Sequence, residues 1–261
     1  MTSRPMALAG CLLAVLIPPA ASAVDQEISW GESVNQALEQ SKKTGRPVLV
    51  DVWAIWCVPC REMDQTTYRD PEVLAAFENF IPVKVDADVQ KVFIERYRVE
   101  AYPTVLLLDD RGDEITRALG FISAGDMLDL LSAVHDGYPE YLDVRGRKKD
   151  PQALARLGHF LAGVGNAERA TDVFRRALKR HKQDDATRQS LELELARAQV
   201  ATENYSAAVK ILRRLADSGA SDELRAHALA ELAEAQAARG RDEDAAAARE
   251  RLAREFPALA H

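Results

Sequence analysis

The chain has 261 residues and only three cysteines, Cys11, Cys57 and Cys60. So few cannot build a fold stapled by several disulfides. There is no second Cys-x-x-Cys, and His135, His159, His181, His227 and His261 all lie far along the chain from Cys57 and Cys60. A four-ligand zinc site therefore has no donor set, and no metal is expected. Basic sequence is scarce as well. The formal charge is -7, and the basic block "RGRKK", Arg145 to Lys149, is short. That excludes a nucleic-acid partner and leaves the block as a solvated linker. The apolar run near the start, "MALAGCLLAVLI", is too short to span a bilayer comfortably and is broken by Pro18 and Pro19. From Pro151 onward, strand signals are missing altogether.

The first residues carry a pattern of their own. Arg4 gives a positive start, the apolar run follows, and "ASA", Ala21 to Ala23, offers a small-residue cleavage site. Residues 1–23 are expected to be a signal peptide, with Val24 opening the mature, periplasmic protein. An uncleaved anchor holding the chain at the membrane and facing the periplasm is the alternative. Lipidation at Cys11 is disfavoured because most of the apolar run follows it. Cleavage would remove Cys11 and leave Cys57 and Cys60 as the only cysteines in an oxidising compartment.

Residues 24–136 alternate between helix and strand. "GESVNQALEQSKKTGRP" reads as a helix capped by Ser33 and stopped at Gly45 to Pro47. "PVLVDVWA" and "IPVKVDA" read as buried strands, "PTVLLLDD" as a third, and "ITRALGF" as a fourth after the turn "RGDE". Helical patterns fall between them, and "SAGDMLDLLSAV", capped by Ser123, closes the unit. This alternation predicts an α/β layer fold with helices on both faces. Residues 137–150 are polar and punctuated by Pro and Gly, and are expected to be a linker.

Residues 151–261 repeat. Leu157-Gly158, Leu195-Ala196 and Leu232-Ala233 begin similar runs, with Ala170, Ala208 and Ala245 at matching later offsets. The pattern resembles the tetratricopeptide repeat, a helix-turn-helix unit of about 34 residues. Three such units are expected, with Glu203 and Arg249 departing from the pattern. Their first helices would line a groove in which His159, Arg197 and Glu234 form a polar stripe suited to a peptide or partner helix.

The remaining feature is "VDVWAIWCVPC", Val50 to Cys60. A disulfide of this spacing closes a tiny loop and constrains little, so a structural role alone is a poor reading. Together with "AYPTVLLLDDRGDE" and Gly120, the motif resembles the thioredoxin-like proteins. "TTYRDPEVLAAF" and "GFISAGDM" are most similar to the C-terminal periplasmic domain of transmembrane thiol:disulfide interchange reductases. The resemblance spans roughly Trp30 to Val134 and implies a thioredoxin fold and thiol–disulfide exchange.

A Cys-x-x-Cys opening a helix places its first sulfur beside unsatisfied N–H groups and the positive end of the helix dipole. Cys57 is thus the expected attacking thiol and Cys60 the resolving one, with Pro59 restraining the loop. Asp51 is costly on an apolar strand without a role. The resemblance makes it the proton acceptor for Cys60, with Lys84 as its partner, and implies a cis bond before Pro103. Trp56, Pro59, Tyr102 and Thr104 are assigned to the substrate face.

No cofactor is expected beyond the Cys57–Cys60 disulfide itself. Protein thiols and disulfides are the expected partners, with a membrane thiol reductase as electron donor and a peptide or protein docked by the repeats. The competing reading is a redox-inactive scaffold whose function lies in the repeats.

Overall fold

The computed structural model describes residues 27–183 and 185–259; the expected signal peptide and Cys11 lie outside them. A four-stranded sheet organises the first half. Its order is β2 (Ile81–Asp86), β1 (Val48–Trp53), β3 (Thr104–Leu108), β4 (Glu114–Leu119). β1 runs parallel to β2 and antiparallel to β3, and β3 is antiparallel to β4. This is the thioredoxin fold.

The central strands β1 and β3 are buried on both faces, as their unbroken apolar sequences require. β2 differs from the expected buried strand: it alternates between buried and half-exposed positions. It lies at the sheet edge, beside only a short bridge from Gly31 to Val83, and an edge strand tolerates Pro82 and a polar face.

Two apolar layers sandwich the sheet. One packs α1 (Val34–Thr44) and α4 (Lys91–Tyr97) against Val48, Val50, Val52 and Val83. The other packs α2 (Val58–Gln65), the single 3-10 turn Thr67–Arg69, α3 (Pro71–Phe77) and α5 (Ala124–Val144) against Leu49, Val105, Leu107 and Ile115. Local signals set the helix starts. Ser33 accepts from the Gln36 N–H, Asp70 from Glu72 and Val73, and Ser123 from Asp126. α1 ends at Gly45 with φ 72°, a left-handed position.

The expected linker over 137–150 is corrected by α5. The helix continues to Val144, through Pro139. Tyr138, Tyr141 and Val144 are all buried on one side of it, while Pro139 and Glu140 face solvent. Within 137–144 the polar residues belong to the outer face of a long helix, and 145–150 form the turns that lead into the next one.

Three antiparallel helix pairs follow: α6 (Pro151–Gly163) with α7 (Ala167–Arg180), α8 (Ala186–Ala201) with α9 (Tyr205–Ala216), and α10 (Asp222–Ala238) with α11 (Asp242–Glu255). Equivalent leucines, Leu157, Leu195 and Leu232, are 38 and 37 residues apart. That exceeds the expected 34 or so: successive pairs start at Pro151, Ala186 and Asp222, and the leucine stands later in each successive first helix. Gly158 lets α7 approach α6: a Cβ there would meet the Phe174 ring at 2.5 Å. Among the described residues, no helix is long and apolar enough to cross a membrane.

The two halves share one core. The cluster around Leu49 and Leu107 runs on through α5 to Leu154, Leu161, Phe174 and Leu191. Polar contacts fasten it. Thr116 Oγ1 donates to the Val164 carbonyl at 2.7 Å, Asn166 Nδ2 to the Ile115 carbonyl at 2.7 Å, and Arg169 to the Glu114 carbonyl. Fully buried Asp109 accepts from Tyr141 Oη at 2.9 Å and from Arg145 Nη1 at 2.5 Å. Its carboxylate also takes the N–H groups of Arg111 and Asp113.

Candidate active site: a disulfide and a buried carboxylate

β1 delivers the chain to the site. Beyond Ala54 it turns, the Cys57 N–H donates to the Ala54 carbonyl at 3.0 Å, and α2 starts with Cys57 as its N-cap. Pro59 sits in the first turn of α2, where its fixed φ suits the helix and no N–H is needed. Cys57 and Cys60 are joined as a disulfide. The Cys60 N–H donates to Cys57 Sγ at 3.2 Å. Both residues are 3% exposed, so burial does not distinguish them; Cys57 caps the positive end of α2, and Cys60 lies one turn further in.

Around the disulfide the surface is apolar. Ile55, Trp56 and Val58 are exposed by 72%, 61% and 63%. Trp56 is held in place: its Nε1 donates to Asp88 Oδ2 at 3.0 Å, and its ring meets Tyr102 edge-on at 5.6 Å. Tyr102 precedes Pro103 through a cis bond, as the resemblance implied. The Pro103 carbonyl accepts from the Gly120 N–H at 2.8 Å, which brings the Gly120 turn to this loop. Thr104 does not reach the substrate face. It is fully buried in β3, and its hydroxyl donates to the Ala101 carbonyl at 2.7 Å.

Asp51, 2% exposed, sits on β1 directly opposite Lys84 on β2. Lys84 Nζ is 3.6 Å from Asp51 Oδ2 and also pairs with Asp64. Asp64 lies one turn after Cys60 on α2, so Lys84 ties the buried carboxylate to the helix that carries the cysteines. The ammonium stands over the rings of Trp30, Trp53 and Tyr68, at 5.2, 5.6 and 5.7 Å from their centroids. Aromatic faces favour a cation there. Asp51 Oδ1 and the Tyr68 hydroxyl are both buried without closing a hydrogen bond.

Burial pushes the Asp51 carboxyl up to about 6; Lys84 pulls it down, Asp64 pushes it up, and the Tyr68 hydroxyl favours the charged form. The same burial, with Asp51 beside it, raises Tyr68 well above the usual phenol range. A carboxyl poised near neutral pH can accept and return a proton.

α2 carries Cys57, Cys60 and Asp64, Lys84 links Asp64 to Asp51 on β1, and Trp56, beside Cys57, packs on Tyr102 of the cis Tyr102–Pro103 turn. Three contributors carry no signal in the local sequence: Trp30, Tyr68 and Asp88. Each is remote in sequence from the group it serves, and only packing brings it there.

Residues 29–110 match the sequence profile of the thioredoxin-like family. The chain is 34% identical over 104 residues to the thiol:disulfide interchange protein DsbD of Escherichia coli K12, covering 38% of this chain and 18% of that protein. The Haemophilus influenzae PittEE protein of the same name is 33% identical over 93 residues, covering 33% and 16%. The chain therefore spans less than a fifth of these relatives. Among solved structures, the oxidised C-terminal domain of Neisseria meningitidis DsbD is 26% identical, with a TM-score of 0.33 over 37% of this chain and 88% of that one.

Proposed function

We propose that this chain, which carries a thioredoxin-like domain at residues 29–110, is a periplasmic thiol–disulfide oxidoreductase that reduces protein disulfides. The observation that carries this reading is the Cys57–Cys60 disulfide at the start of α2, the helix that Lys84 ties to buried Asp51 through Asp64. In the reduced protein, the Cys57 thiolate attacks a substrate disulfide. One substrate sulfur leaves as a thiolate, and the other is held in a mixed disulfide with Cys57. Cys60 gives its proton to Asp51 and attacks Cys57 Sγ. The second substrate sulfur leaves, and the Cys57–Cys60 disulfide forms. Two electrons have passed to the substrate. A dithiol donor must restore the pair, and a membrane thiol reductase fits that role by analogy with the relatives' interchange function.

Partner docking is assigned to the first helices of the repeats. His159 on α6, Arg197 on α8 and Glu234 on α10 occupy equivalent positions. Arg197 is braced by Glu194 at 2.8 Å and Glu231 at 2.7 Å. Cys60→Ser is expected to trap partners on Cys57, since resolution is blocked, while Cys57→Ser traps few. Equal trapping by both variants would overturn the roles. A native chain that fails to reduce insulin would move the function to the repeats.

A further inference from the structure

The block "RGRKK" takes no part in the redox chemistry, yet two of its members are built into a site. Arg145 and Lys148 line a cleft of about 290 Å³ at the junction of the two halves. The β3–β4 turn adds Arg111, and α7 adds Arg169 and Arg176. The floor is apolar and buried, formed by Tyr141, Leu157 and Val173.

Five cations line this cleft with two carboxylates, Asp113 and Asp172, and two more carboxylates stand behind Arg145; Asp172 is engaged by Arg175 at 3.4 Å. Arg145 is held by Asp109 and Asp110, but its Nε is buried without an acceptor. Among the described residues, Arg111, Lys148, Arg169 and Arg176 have no carboxylate oxygen within 4.0 Å. In a chain of net charge -7, composition does not account for this gathering. Like charges converging over an apolar floor repel more strongly than on an open surface. An oxyanion among them removes that repulsion, and guanidinium forks match its geometry.

We propose that the junction cleft binds a small multivalent oxyanion, held by Arg111, Lys148, Arg169 and Arg176. The site stands apart from the redox pair. Val48, at the start of β1, lies opposite Leu108, so the β3–β4 turn is at the far end of the sheet from Cys57, a strand length of about 20 Å away. The proposal does not depend on the oxidoreductase reading. Because the lining comes from both halves, an occupant clamps the helical array to the sheet.

The test is calorimetric titration of the full chain with sodium pyrophosphate and, separately, with malonate, at ionic strength held constant with sodium chloride. Binding of at least one anion with Kd at or below about 1 mM is expected. The tighter arm identifies the oxyanion as phosphate or carboxylate. An Arg111→Glu, Arg176→Glu double variant should bind at least about tenfold more weakly, while insulin reduction stays unchanged. Lys148→Glu should also weaken binding, whereas Lys182→Glu, an exposed cation outside the cleft, should not. Failure of both anions to bind, equal binding by the double variant, or equal weakening by Lys148→Glu and Lys182→Glu would each overturn the proposal.

Discussion

Asp51 is where residue chemistry and stability meet. Its folded pKa, about 6, lies above the ordinary carboxylate value of 3.8. The charged form is therefore disfavoured by folding. Above pH 6 the folded state bears this cost, and the cost disappears as pH falls through 6 toward 4. Asp51→Asn is thus expected to raise stability at pH 7, by up to about 3 kcal/mol, and to remove the gain that the native protein shows on acidification. Urea melts at pH 7 and pH 5 check both points. Lys84 keeps Asp64 as a partner, so the substitution strands no charge. Exchange should respond in the opposite sense. The native rate should rise through pH 6 as the carboxylate forms; the variant should lose that inflection and react at least about tenfold more slowly at pH 7. Tyr68→Phe removes a hydroxyl that favours the carboxylate, so the inflection should move to higher pH with the fold intact. An unchanged pH profile would leave Tyr68 as packing alone.

At the scale of elements, the repeats reveal their logic where one member breaks it. The helix turns within the three pairs each place one residue in the left-handed region: Gly165 at φ 80°, Glu203 at φ 58° and Gly240 at φ 71°. An L side chain is strained there and glycine is not. Glu203 is exposed, so Glu203→Gly is expected to stabilise the array by about 1 kcal/mol, read as a higher Tm. The converse holds inside the first pair. Gly158→Ala gains helix propensity, worth about 1 kcal/mol. The added Cβ would nevertheless meet fully buried Phe174 at 2.5 Å. A net destabilisation of about 1–2 kcal/mol is expected, since the ring has no space to yield.

The whole molecule behaves as a sheet with its edge covered. β4 is an edge strand, and the carbonyls of Glu114 and Ile115 are taken by Arg169 and Asn166 of the first helix pair. An uncovered edge invites association. The polar composition of 137–150 implied that the halves could be cut apart near Arg145. Arg145 instead neutralises fully buried Asp109, and α5 belongs to the core of both halves. A chain ending at residue 144 is therefore expected to have a Tm at least about 10 °C lower than the full chain, and to bind a hydrophobic dye. A burial-driven core split in two loses several kcal/mol. Equal Tm values would show that the halves are independent.

The sequence by itself determined the sheet, the helix starts and the reactive pair. These rest on short-range rules: strand periodicity, capping side chains, and cysteines placed at a helix N-terminus. It also marked Asp51, because a carboxylate in an apolar strand is anomalous within a few residues of its neighbours. Lys84 is expected beside Asp51 from the resemblance; only the tertiary structure added Tyr68 and Asp64 near it and Trp30 over Lys84, through strand pairing and packing across distant segments. It also decided that Thr104 turns inward and that residues 137–144 of the expected linker are helix. Polar residues on the outer face of a packed helix have the composition of a linker, and what separates the two is the buried stripe of Tyr138, Tyr141 and Val144. That stripe has meaning only once a second surface, α6 and the sheet, is there to cover it.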